Sequence, residues 1–474
     1  VRVVSAVLLA ASTLVWMPGS PVGAWSSDDR AVAVFGQGTF SALDKGYSVA
    51  VDSSGNVYTT GYFNGTVDFD PGAGTANLTS NGGSDAFVLK LDSSGNYVWA
   101  KSFGSTNTDR GNSVAVDSSG NVYTTGYFND TVDFDPGAGT TNLTASGNDV
   151  FVSKLDSSGD YVWAKSFGGS GSDLANSVAV DSSGNVYTTG YFNDTVDFDP
   201  GAGTTNLTAS GNDVFVSKLD SSGDYVWAKS FGGIRSDSGN SVAVDSSGNV
   251  YTTGSFSTYY SNGTVDFDPG AGTANLGTNG SYDVWVSKLD SSGDYVWAKS
   301  FGGTAGDRGY SVAIDSSGNV YTAGSFESGR QGGAVDFDPG AGTVELNLDG
   351  GTDAFVLKLD SSGNLVTGAG VTVALSGGST AVSEAGSTDS FTVVLTAQPS
   401  SDVVLSVVSA DTGEATASPA QLTFTSGNWN TAQTVTVTGV DDNLIDGTQT
   451  TTVTVAVVDG SSDDAYDSVA DSTV

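Results

Sequence analysis

A stretch of 64 to 70 residues recurs along this chain, and no other feature limits its fold as strongly. The string Ser-Val-Ala-Val/Ile-Asp-Ser-Ser-Gly-Asn-Val-Tyr begins at Ser48, Ser113, Ser177, Ser241 and Ser311. A second string, Lys-Leu-Asp-Ser-Ser-Gly-Asn/Asp, begins at Lys90, Lys154, Lys218, Lys288 and Lys358. Repeats of this length are typical of architectures in which each unit packs against its neighbours.

Each repeat predicts four β-strands separated by turn residues. In the second copy the predicted strands are Ser113–Asp117, Asn121–Phe128, Val150–Asp156 and Tyr161–Phe167. Strand alternation places Tyr161, Trp163 and Phe167 on one side, and we expect the repeated Trp to lie in the core between units. Five four-stranded sheets predict an all-β, five-bladed β-propeller; an open stack of five units is the alternative.

The two ends of the repeat region indicate how a ring would close. The fifth copy stops at Leu365-Val366 and lacks the Trp-Ala-Lys-Ser-Phe-Gly strand of the other copies. The segment Ala31–Gly36 stands just upstream of the first copy, where that strand would be. We therefore expect this N-terminal strand to complete the fifth blade, which would leave no open sheet edge.

Two family resemblances cover most of the chain. The strings SVAVDSSGNVYTTGYF and DAFVLKLDSSGNYVWAKSFGG resemble bacterial SBBP-type β-propeller repeats, and VAVDSSGNVY is similar to NHL repeats, over about residues 31–366. Over 371–474, VSEAGSTDSFTVVLT and LTFTSGNWNTAQTVTVTGVDDNLIDGTQTTTVTV resemble a Calx-β domain. This resemblance implies an immunoglobulin-like β-sandwich, which we expect to continue past Val474.

The N-terminus predicts export. Arg2 precedes an apolar run from Val3 to Trp16, and Val22-Gly23-Ala24 resembles a cleavage site. These features predict a signal peptide over residues 1–24; a buried N-terminal strand is the alternative. The expected domains are a propeller over 25–366, a linker over 367–370 and the sandwich over 371–474. The expected location is extracellular, as a secreted or cell-surface bacterial protein with no transmembrane segment.

Composition narrows the chemistry. The formal net charge is −37, and nearly all of the 53 acidic residues are Asp, which favours turns. Such a surface repels nucleic acid and suits divalent cations or cationic partners, although the charge alone could serve solubility. The absence of Cys and His excludes thiol nucleophiles, Ser-His-Asp triads and His- or Cys-ligated zinc.

Calcium is the predicted cofactor, at two kinds of site. The Calx-β resemblance implies a site at Glu384, Asp441, Asp442 and Asp446; an Asx-turn cluster without metal is the alternative. In the repeats, a D-x-D-x-G pattern resembles half of a calcium loop, with loop bracing as the alternative. The repeated pairs are Asp68 and Asp70, Asp133 and Asp135, Asp197 and Asp199, Asp266 and Asp268, and Asp336 and Asp338.

Strand direction predicts that the links between strands two and three and the links between copies share one face of the ring, the long-loop face, and two further groups lie there. An Asp precedes the first strand of every copy, as a solvated rim or an acidic ring for a cation: Asp44, Asp109, Asp173, Asp237 and Asp307. Insertions in copies four and five predict a ligand-binding lip, with neutral loop drift as the alternative, at Tyr259, Tyr260, Glu327, Arg330 and Gln331. A glycan or protein is the expected ligand of this face.

Repetition also bears on function. Catalytic carboxylates need different environments to act as acid and as base or nucleophile, whereas nearly every carboxylate here is copied around the repeats. The sequence therefore favours a non-enzymatic binding or adhesion scaffold. A propeller-type carbohydrate-active hydrolase or lyase is the alternative.

Overall fold

The computed structural model describes residues 44–258, 263–327, 335–340, 344–346, 351–366, 368–441, 447, 449–467 and 469–474. The chain divides into two compact units, Val1–Leu365 and Val366–Val474. The first unit contains the repeats. The predicted signal peptide and the predicted closing strand Ala31–Gly36 lie outside the described residues.

Each of the first three repeats forms an antiparallel sheet of four strands in chain order. Sheet one contains β1 (Lys45–Val51), β2 (Val57–Asp68), β3 (Asn77–Leu91) and β4 (Tyr97–Phe103). Sheet two contains β5 (Arg110–Val116), β6 (Val122–Asp133), β7 (Asn142–Leu155) and β8 (Tyr161–Phe167). Sheet three contains β9 (Leu174–Val180), β10 (Val186–Asp197), β11 (Asn206–Leu219) and β12 (Tyr225–Phe231). The four-strand prediction is confirmed for these repeats.

Sheets four and five depart from this pattern. Sheet four contains β13 (Ser238–Val244), β14 (Val250–Phe256), β17 (Asp283–Leu289) and β18 (Tyr295–Phe301), with a separate ribbon of β15 (Val265–Asp266) and β16 (Asn275–Leu276). Sheet five has three described strands, β19 (Arg308–Ile314), β20 (Val320–Glu327) and β23 (Thr352–Leu359), with a ribbon of β21 (Val335–Asp336) and β22 (Glu345–Leu346). Only a bridge between Leu359 and Leu365 continues sheet five in the described residues.

A β-bulge in the fourth strand changes which side chains share a face. Lys154 pairs with Trp163 and Leu155 pairs with Tyr161, so Val162 is the extra residue and is 43% exposed. Trp163 therefore packs between sheets two and three, whereas Tyr161 packs between sheets one and two. The prediction that both aromatic rings point the same way was wrong, because the bulge interrupts the two-residue period.

Hydrophobic packing joins each sheet to the next. Four clusters each combine side chains of neighbouring sheets. In the first, the Trp99 ring lies 6.3 Å from that of Tyr58, and its Nε1 donates to the Ser157 carbonyl of sheet two. The Trp residues of sheets two to four donate across their junctions in the same way. The predicted place of the repeated Trp in the core between sheets is confirmed.

The first strands of neighbouring sheets lie side by side and are cross-linked by hydrogen bonds. Asn112 Nδ2 donates to the carbonyl of Ala175 at 2.8 Å, and Asn176 Nδ2 donates to that of Gly239 at 2.9 Å. Asn240 repeats this bond to sheet five. The corresponding positions in sheets one and five are Tyr47 and Tyr310, so the series of asparagines ends at these sheets.

Sheet five leaves one of its faces uncovered. Val356 is 73% exposed, whereas its counterparts Val88, Val152, Val216 and Val286 are 0% exposed. Ala354 is also exposed, while Ala86 at the same place in sheet one is buried. This is the face on which the next sheet packs in each earlier repeat.

The second unit consists of two antiparallel sheets that share one hydrophobic core. Sheet six has the order β24 (Val371–Leu375), β25 (Thr388–Leu395), β29 (Gln433–Gly439), β27 (Ala415–Ser418). Sheet seven has the order β28 (Gln421–Phe424), β26 (Val403–Ser409), β30 (Val453–Val457), β31 (Ser472–Thr473). Short 3-10 helices span Ser376–Gly378, Asp459–Ser461 and Asp464–Tyr466. The described secondary structure is thus almost entirely β.

Candidate binding site

The Asp-Ser-Ser-Gly turns use their carboxylates to hold the turn itself. Asp52 Oδ1 accepts the backbone N–H groups of Ser54 and Asn56, and Oδ2 accepts the Asn56 amide and the Tyr58 hydroxyl. Gly55 supplies the positive φ of 82° that the turn requires. Partial burial acts to raise the pKa of Asp52, but these hydrogen bonds outweigh it and lower the pKa. These carboxylates therefore spend their hydrogen-bonding capacity on stabilising the turn.

The aspartate pairs predicted to bind calcium also brace their own loops. In the first repeat, Asp68 Oδ1 accepts the N–H groups of Asp70 and Ala76, and Asp70 Oδ1 accepts that of Gly72. A Cβ at Gly74 would lie 2.0 Å from Asp70 Oδ2, so a larger residue there would displace this carboxylate. The loop thus closes through hydrogen bonds between the two carboxylates and the backbone.

The other four pairs make the same bonds in their own loops. The first Asp of each pair accepts the N–H of the second and of the residue eight positions on: Asp133, Asp197, Asp266 and Asp336. The second Asp accepts the N–H of the glycine two positions on: Asp135, Asp199, Asp268 and Asp338. Hydrogen bonds therefore brace the loop at all five pairs.

Each of these loops supplies few acidic oxygens to a metal ion. No three acidic side chains converge on a metal site in the described part of the chain. The loops of Asp70, Asp135, Asp199, Asp268 and Asp338 each bring together two carboxylates, whereas calcium takes six to eight oxygen ligands. Calcium at the repeats stays a prediction.

The acids before the first strands do not form a solvated rim. Asp109, Asp173, Asp237 and Asp307 are each at most 1% exposed. Asp173 Oδ1 accepts the Asn193 N–H, and Oδ2 accepts the Gly169 N–H. Asp44, which is only partly buried, accepts the Asn64 N–H. In the later repeats the link from the preceding sheet and the end of the second strand both converge on this carboxylate, and its burial was not evident from the sequence.

We call the four fully buried acids the braces. Each brace lies near a second buried aspartate, which belongs to a third strand. In sheet four, a Cβ built on Gly302 would lie 2.8 Å from both Asp283 Oδ1 and Asp307 Oδ2. The Oδ1 atoms of Asp149, Asp213 and Asp283 have no hydrogen-bond partner among the described residues. Burial, reinforced by the charge of Asp307, raises the pKa of Asp283 to about 7. The charge of the neighbouring acid likewise acts to raise the pKa of Asp149 and of Asp85.

The predicted ligand-binding lip is only partly described. Tyr259, Tyr260, Arg330 and Gln331 lie outside the described residues. Glu327 ends the second strand of sheet five, its N–H donates to Asp307 Oδ1, and its carboxylate lies 4.0 Å from Arg308. Both of these side chains are more than one-third exposed, so this ion pair is worth little in stability.

The predicted calcium site of the second unit is also only partly described, because Asp442 and Asp446 lie outside the described residues. Glu384 and Asp441 are exposed. The Ser383 carbonyl lies 2.1 Å from where a Cβ of Gly439 would be, so the segments that carry Glu384 and Asp441 run side by side. The structure thus brings together two of the four predicted residues at the level of the backbone.

A cluster that the sequence reasoning missed lies where the first strands begin. The Arg110 guanidinium carbon is 4.6 Å from the centre of the Tyr62 ring and 5.7 Å from that of Tyr127. Tyr47, 38% exposed, lies 5.7 Å from Tyr62. A cavity of about 380 Å³ opens beside them, lined by Tyr47, Arg110, Asn112, Tyr127, Leu174 and Asn176.

The electrostatics of this cavity are unusual for so acidic a chain. Arg110 makes no ion pair within the described residues, and its buried Nε has no partner there. The carboxylate of the neighbouring Asp109 accepts hydrogen bonds from Ser105 and from the Asn129 N–H. Burial raises the pKa of Tyr47 and of Tyr127 against the opposing charge of Arg110, so both phenols keep their protons. The cavity therefore combines one positive charge, aromatic faces and neutral hydrogen-bonding groups.

A signal for this site was present in the sequence. The position two residues before the Asn or Tyr of the first strand varies among the repeats, as Lys45, Arg110, Leu174, Ser238 and Arg308. The second strand carries Tyr opposite the first three positions and Ser opposite the last two. In a chain whose repeats are otherwise so alike, such variation marks where the sheets differ in surface chemistry.

A larger depression of about 500 Å³ lies between the hairpins of sheets one and two, lined by Asn81, Gly104, Ser105, Thr106, Asp130, Thr131, Thr144 and Ala145. Its one charged group, Asp130, accepts a hydrogen bond from the Asn107 amide. It offers neither an aromatic face nor a positive charge, so the Arg110 cavity is the stronger candidate.

Comparison with known families agrees with the sheets. The model described as "Beta-propeller repeat" (SBBP) matches residues 37–67, 98–129, 162–193, 226–255 and 296–325. Five SBBP beta-propeller repeats are present in this chain. Each of the last four matches begins in the fourth strand of one sheet and runs into the second strand of the next, so the sequence repeat spans the junction between sheets.

Two curated proteins are similar to the chain. One is an uncharacterised WD repeat-containing protein of Acanthamoeba polyphaga mimivirus, 25% identical over 404 residues, which are 70% of this chain and 29% of the relative. The other is the regulatory protein FlaEY of Caulobacter vibrioides, 29% identical over 219 residues, which are 44% of this chain and 22% of the relative. The chain spans less than a third of the length of either relative.

The helices of the described residues are 3-10 helices of three residues each. None of them is long or apolar enough to cross a membrane.

Proposed function

We propose that the protein is a non-enzymatic scaffold, secreted or displayed on the cell surface, that binds a glycan or protein ligand at the face where the first strands begin. The observation that carries this proposal is the contrast between repeated and unrepeated residues. The repeated carboxylates accept backbone N–H groups of their own loops and links. Three residues that differ from their counterparts in other repeats, Tyr47, Arg110 and Leu174, line the Arg110 cavity.

The hydrolase form of the alternative, a glycan hydrolase or lyase, lacks support in the geometry. A glycoside hydrolase needs a carboxylic acid and a carboxylate that both reach the substrate. The aspartates with raised pKa values, such as Asp213 and Asp283, are buried and recur from sheet to sheet. A buried carboxyl group does not reach a substrate at the surface. The Arg110 cavity is lined by no carboxylate among the described residues.

We further propose that the repeats close into a five-bladed ring, with Ala31–Gly36 as the fourth strand of the fifth blade. The exposed face of sheet five, and the presence of only three strands in its described part, support this proposal. Since the chain has no Cys, Val356→Cys introduces a unique thiol. Slow labelling in the full chain and fast labelling without residues 1–36 would support closure. Equally fast labelling in both chains would oppose it; Val152→Cys is the buried control.

The second unit is proposed to be a Calx-β-like, immunoglobulin-like sandwich that binds calcium at Glu384, Asp441, Asp442 and Asp446. The adjacent course of the two acidic segments supports this site. Oxygen ligands from several carboxylates suit calcium. A calcium titration should give a heat signal that the double change Glu384→Gln with Asp441→Asn removes. An unchanged heat signal would show that calcium binds elsewhere. The double change Asp68→Asn with Asp70→Asn, in a repeat loop, then tests the aspartate pairs of the repeats.

The binding function itself is tested with one purified full-length protein on a glycan array and a protein array, with and without calcium. We expect retention of a defined ligand class and no change in the ligand after incubation. Product analysis by mass spectrometry checks for turnover. Cleavage of any glycan would overturn the scaffold proposal, and so would the absence of binding on both arrays.

A further inference from the structure

The Arg110 cavity has the chemistry of a site for an acidic sugar. We propose that it binds a sugar residue that carries a carboxylate, such as a uronic acid within a glycan. This inference rests on the proposed binding function and names the ligand class of that site. Its volume of about 380 Å³ falls within the range of about 300–1,000 Å³ typical of small-molecule pockets.

The charge of Arg110 is the first argument. Stacking on Tyr62 at 4.6 Å and on Tyr127 at 5.7 Å holds the guanidinium in place. Arg110 lines the cavity and its Nε is buried, so a ligand there would bind through the terminal nitrogens. A planar guanidinium pairs with a carboxylate through parallel N–H bonds. Since the described residues offer Arg110 no carboxylate, the ligand would supply one.

The neutral groups of the cavity are the second argument, and they favour a sugar. The amide nitrogens of Asn112 and Asn176 are bonded to the carbonyls of Ala175 and Gly239, so each Oδ1 is left to accept a hydrogen bond. Sugar hydroxyls are the matching donors. Tyr47 is 38% exposed and offers a flat apolar face for the ring of a sugar.

The whole-protein charge limits the ligand further. A net charge of −37 repels a long polyanion before its groups can reach the cavity. A single acidic residue in an otherwise neutral glycan meets less of this repulsion, while it still gains the bond to Arg110. The cavity therefore suits isolated acidic sugars better than continuous acidic polysaccharides.

The sequence also supplies a matched control. Arg308 begins the first strand of sheet five at the position that corresponds to Arg110. It lies 5.5 Å from the ring of Tyr282 and 4.0 Å from Glu327, and it does not line the cavity. The two arginines thus share their place in the repeat but differ in whether a carboxylate already faces them.

The test compares binding of a trisaccharide with one glucuronic acid and its glucose counterpart, by calorimetry on the full chain. The acidic trisaccharide should bind roughly tenfold more tightly or better, which is the scale of a charge-assisted pair. Arg110→Gln should abolish this preference, Arg308→Gln should leave it unchanged, and Tyr47→Ala should weaken both sugars alike. Tryptophan fluorescence melting checks that each variant is folded. If Arg110→Gln unfolds, Tyr47→Ala is the variant that tests binding at this cavity, because Tyr47 is 38% exposed.

Four results would overturn the proposal: no binding of the acidic sugar, equal binding of both sugars, wild-type affinity in Arg110→Gln, or an equal loss in Arg308→Gln. An array that shows binding of neutral glycans or proteins alone would overturn this ligand class and leave the scaffold function standing. Cleavage of the bound acidic sugar would overturn the scaffold function and leave this ligand class standing.

Discussion

The two ends of sheet two contain aspartates whose pKa values are shifted in opposite directions. At the Asp-Ser-Ser-Gly end, Asp117 accepts hydrogen bonds from Ser119, Asn121 and Tyr123, and these bonds lower its pKa although partial burial acts to raise it. At the other end, Asp149 is buried beside Asp173, one of its oxygens has no described partner, and burial raises its pKa to about 6.

This difference shows that the supply of N–H and O–H donors decides what an aspartate does here. Four donors around a carboxylate offset the loss of water, whereas one donor and a neighbouring acid do not. The turn aspartates therefore stabilise the fold as anions. The buried third-strand aspartates fit the fold best when they hold a proton, and burial also raises the pKa of the braces beside them.

The largest expected effect is at a brace. Asp173→Ala leaves the partly buried N–H groups of Gly169 and Asn193 without their acceptor, which should cost roughly 2–5 kcal/mol of unfolding free energy. Urea unfolding at pH 5, followed by tryptophan fluorescence, measures this free energy. At that pH Asp149 is protonated, so removal of the neighbouring Asp173 charge does not stabilise the variant. Asp173→Asn, which keeps one acceptor oxygen, should cost less. Equal stability of Asp173→Ala and wild type would show that the brace is dispensable.

The pH dependence of stability is the next largest effect. Burial raises the pKa of Asp85, Asp237 and Asp283 from 3.8 to about 7. The folded state therefore binds more protons than the unfolded state in this interval, so stability present below pH 3.8 is lost as the pH rises to about 7. The fluorescence melting temperature should be higher at pH 5 than at pH 8, and a flat or inverted profile would contradict the buried pairs. Below pH 3.8, protonation of the turn aspartates should lower it again.

A single substitution should isolate this contribution. Asp283→Asn removes a buried charge beside Asp307, and the new amide can donate toward that carboxylate, so the variant should gain about 1 kcal/mol at pH 8. At pH 5 the gain should shrink, because Asp283 is then protonated in the wild type. Asp245→Asn, at the turn end, is the matched control and should destabilise. A loss of stability in Asp283→Asn at both pH values would contradict the assignment.

The smallest effect is expected at one turn. Asp117→Asn keeps a single acceptor oxygen and loses the charge, which should cost about 0.5–1.5 kcal/mol. Ser118→Ala, at an exposed position of the same turn, should be neutral in the same urea titration. If Ser118→Ala costs as much as Asp117→Asn, the turn is held by its backbone rather than by the carboxylate.

The sequence alone determined the repeat, its four strands in the first copies, and the turns. These features depend on contacts within a few residues, such as the bonds from Asp52 to Ser54 and Asn56 and the positive φ of Gly55. It also identified Trp99 and its counterparts as core, because their spacing follows the repeat.

Only the tertiary structure decided what depends on contacts between sheets. The burial of Asp173, the pairing of Asp283 with Asp307, and the bulge that turns Tyr161 away from Trp163 have no local signature. The Arg110 cavity is of the same kind. Tyr47, Arg110 and Leu174 come from three different sheets, and their side chains meet because the first strands lie side by side. Hydrogen-bond donors and solvent access are properties of that assembly, so the role of each repeated aspartate followed from the fold.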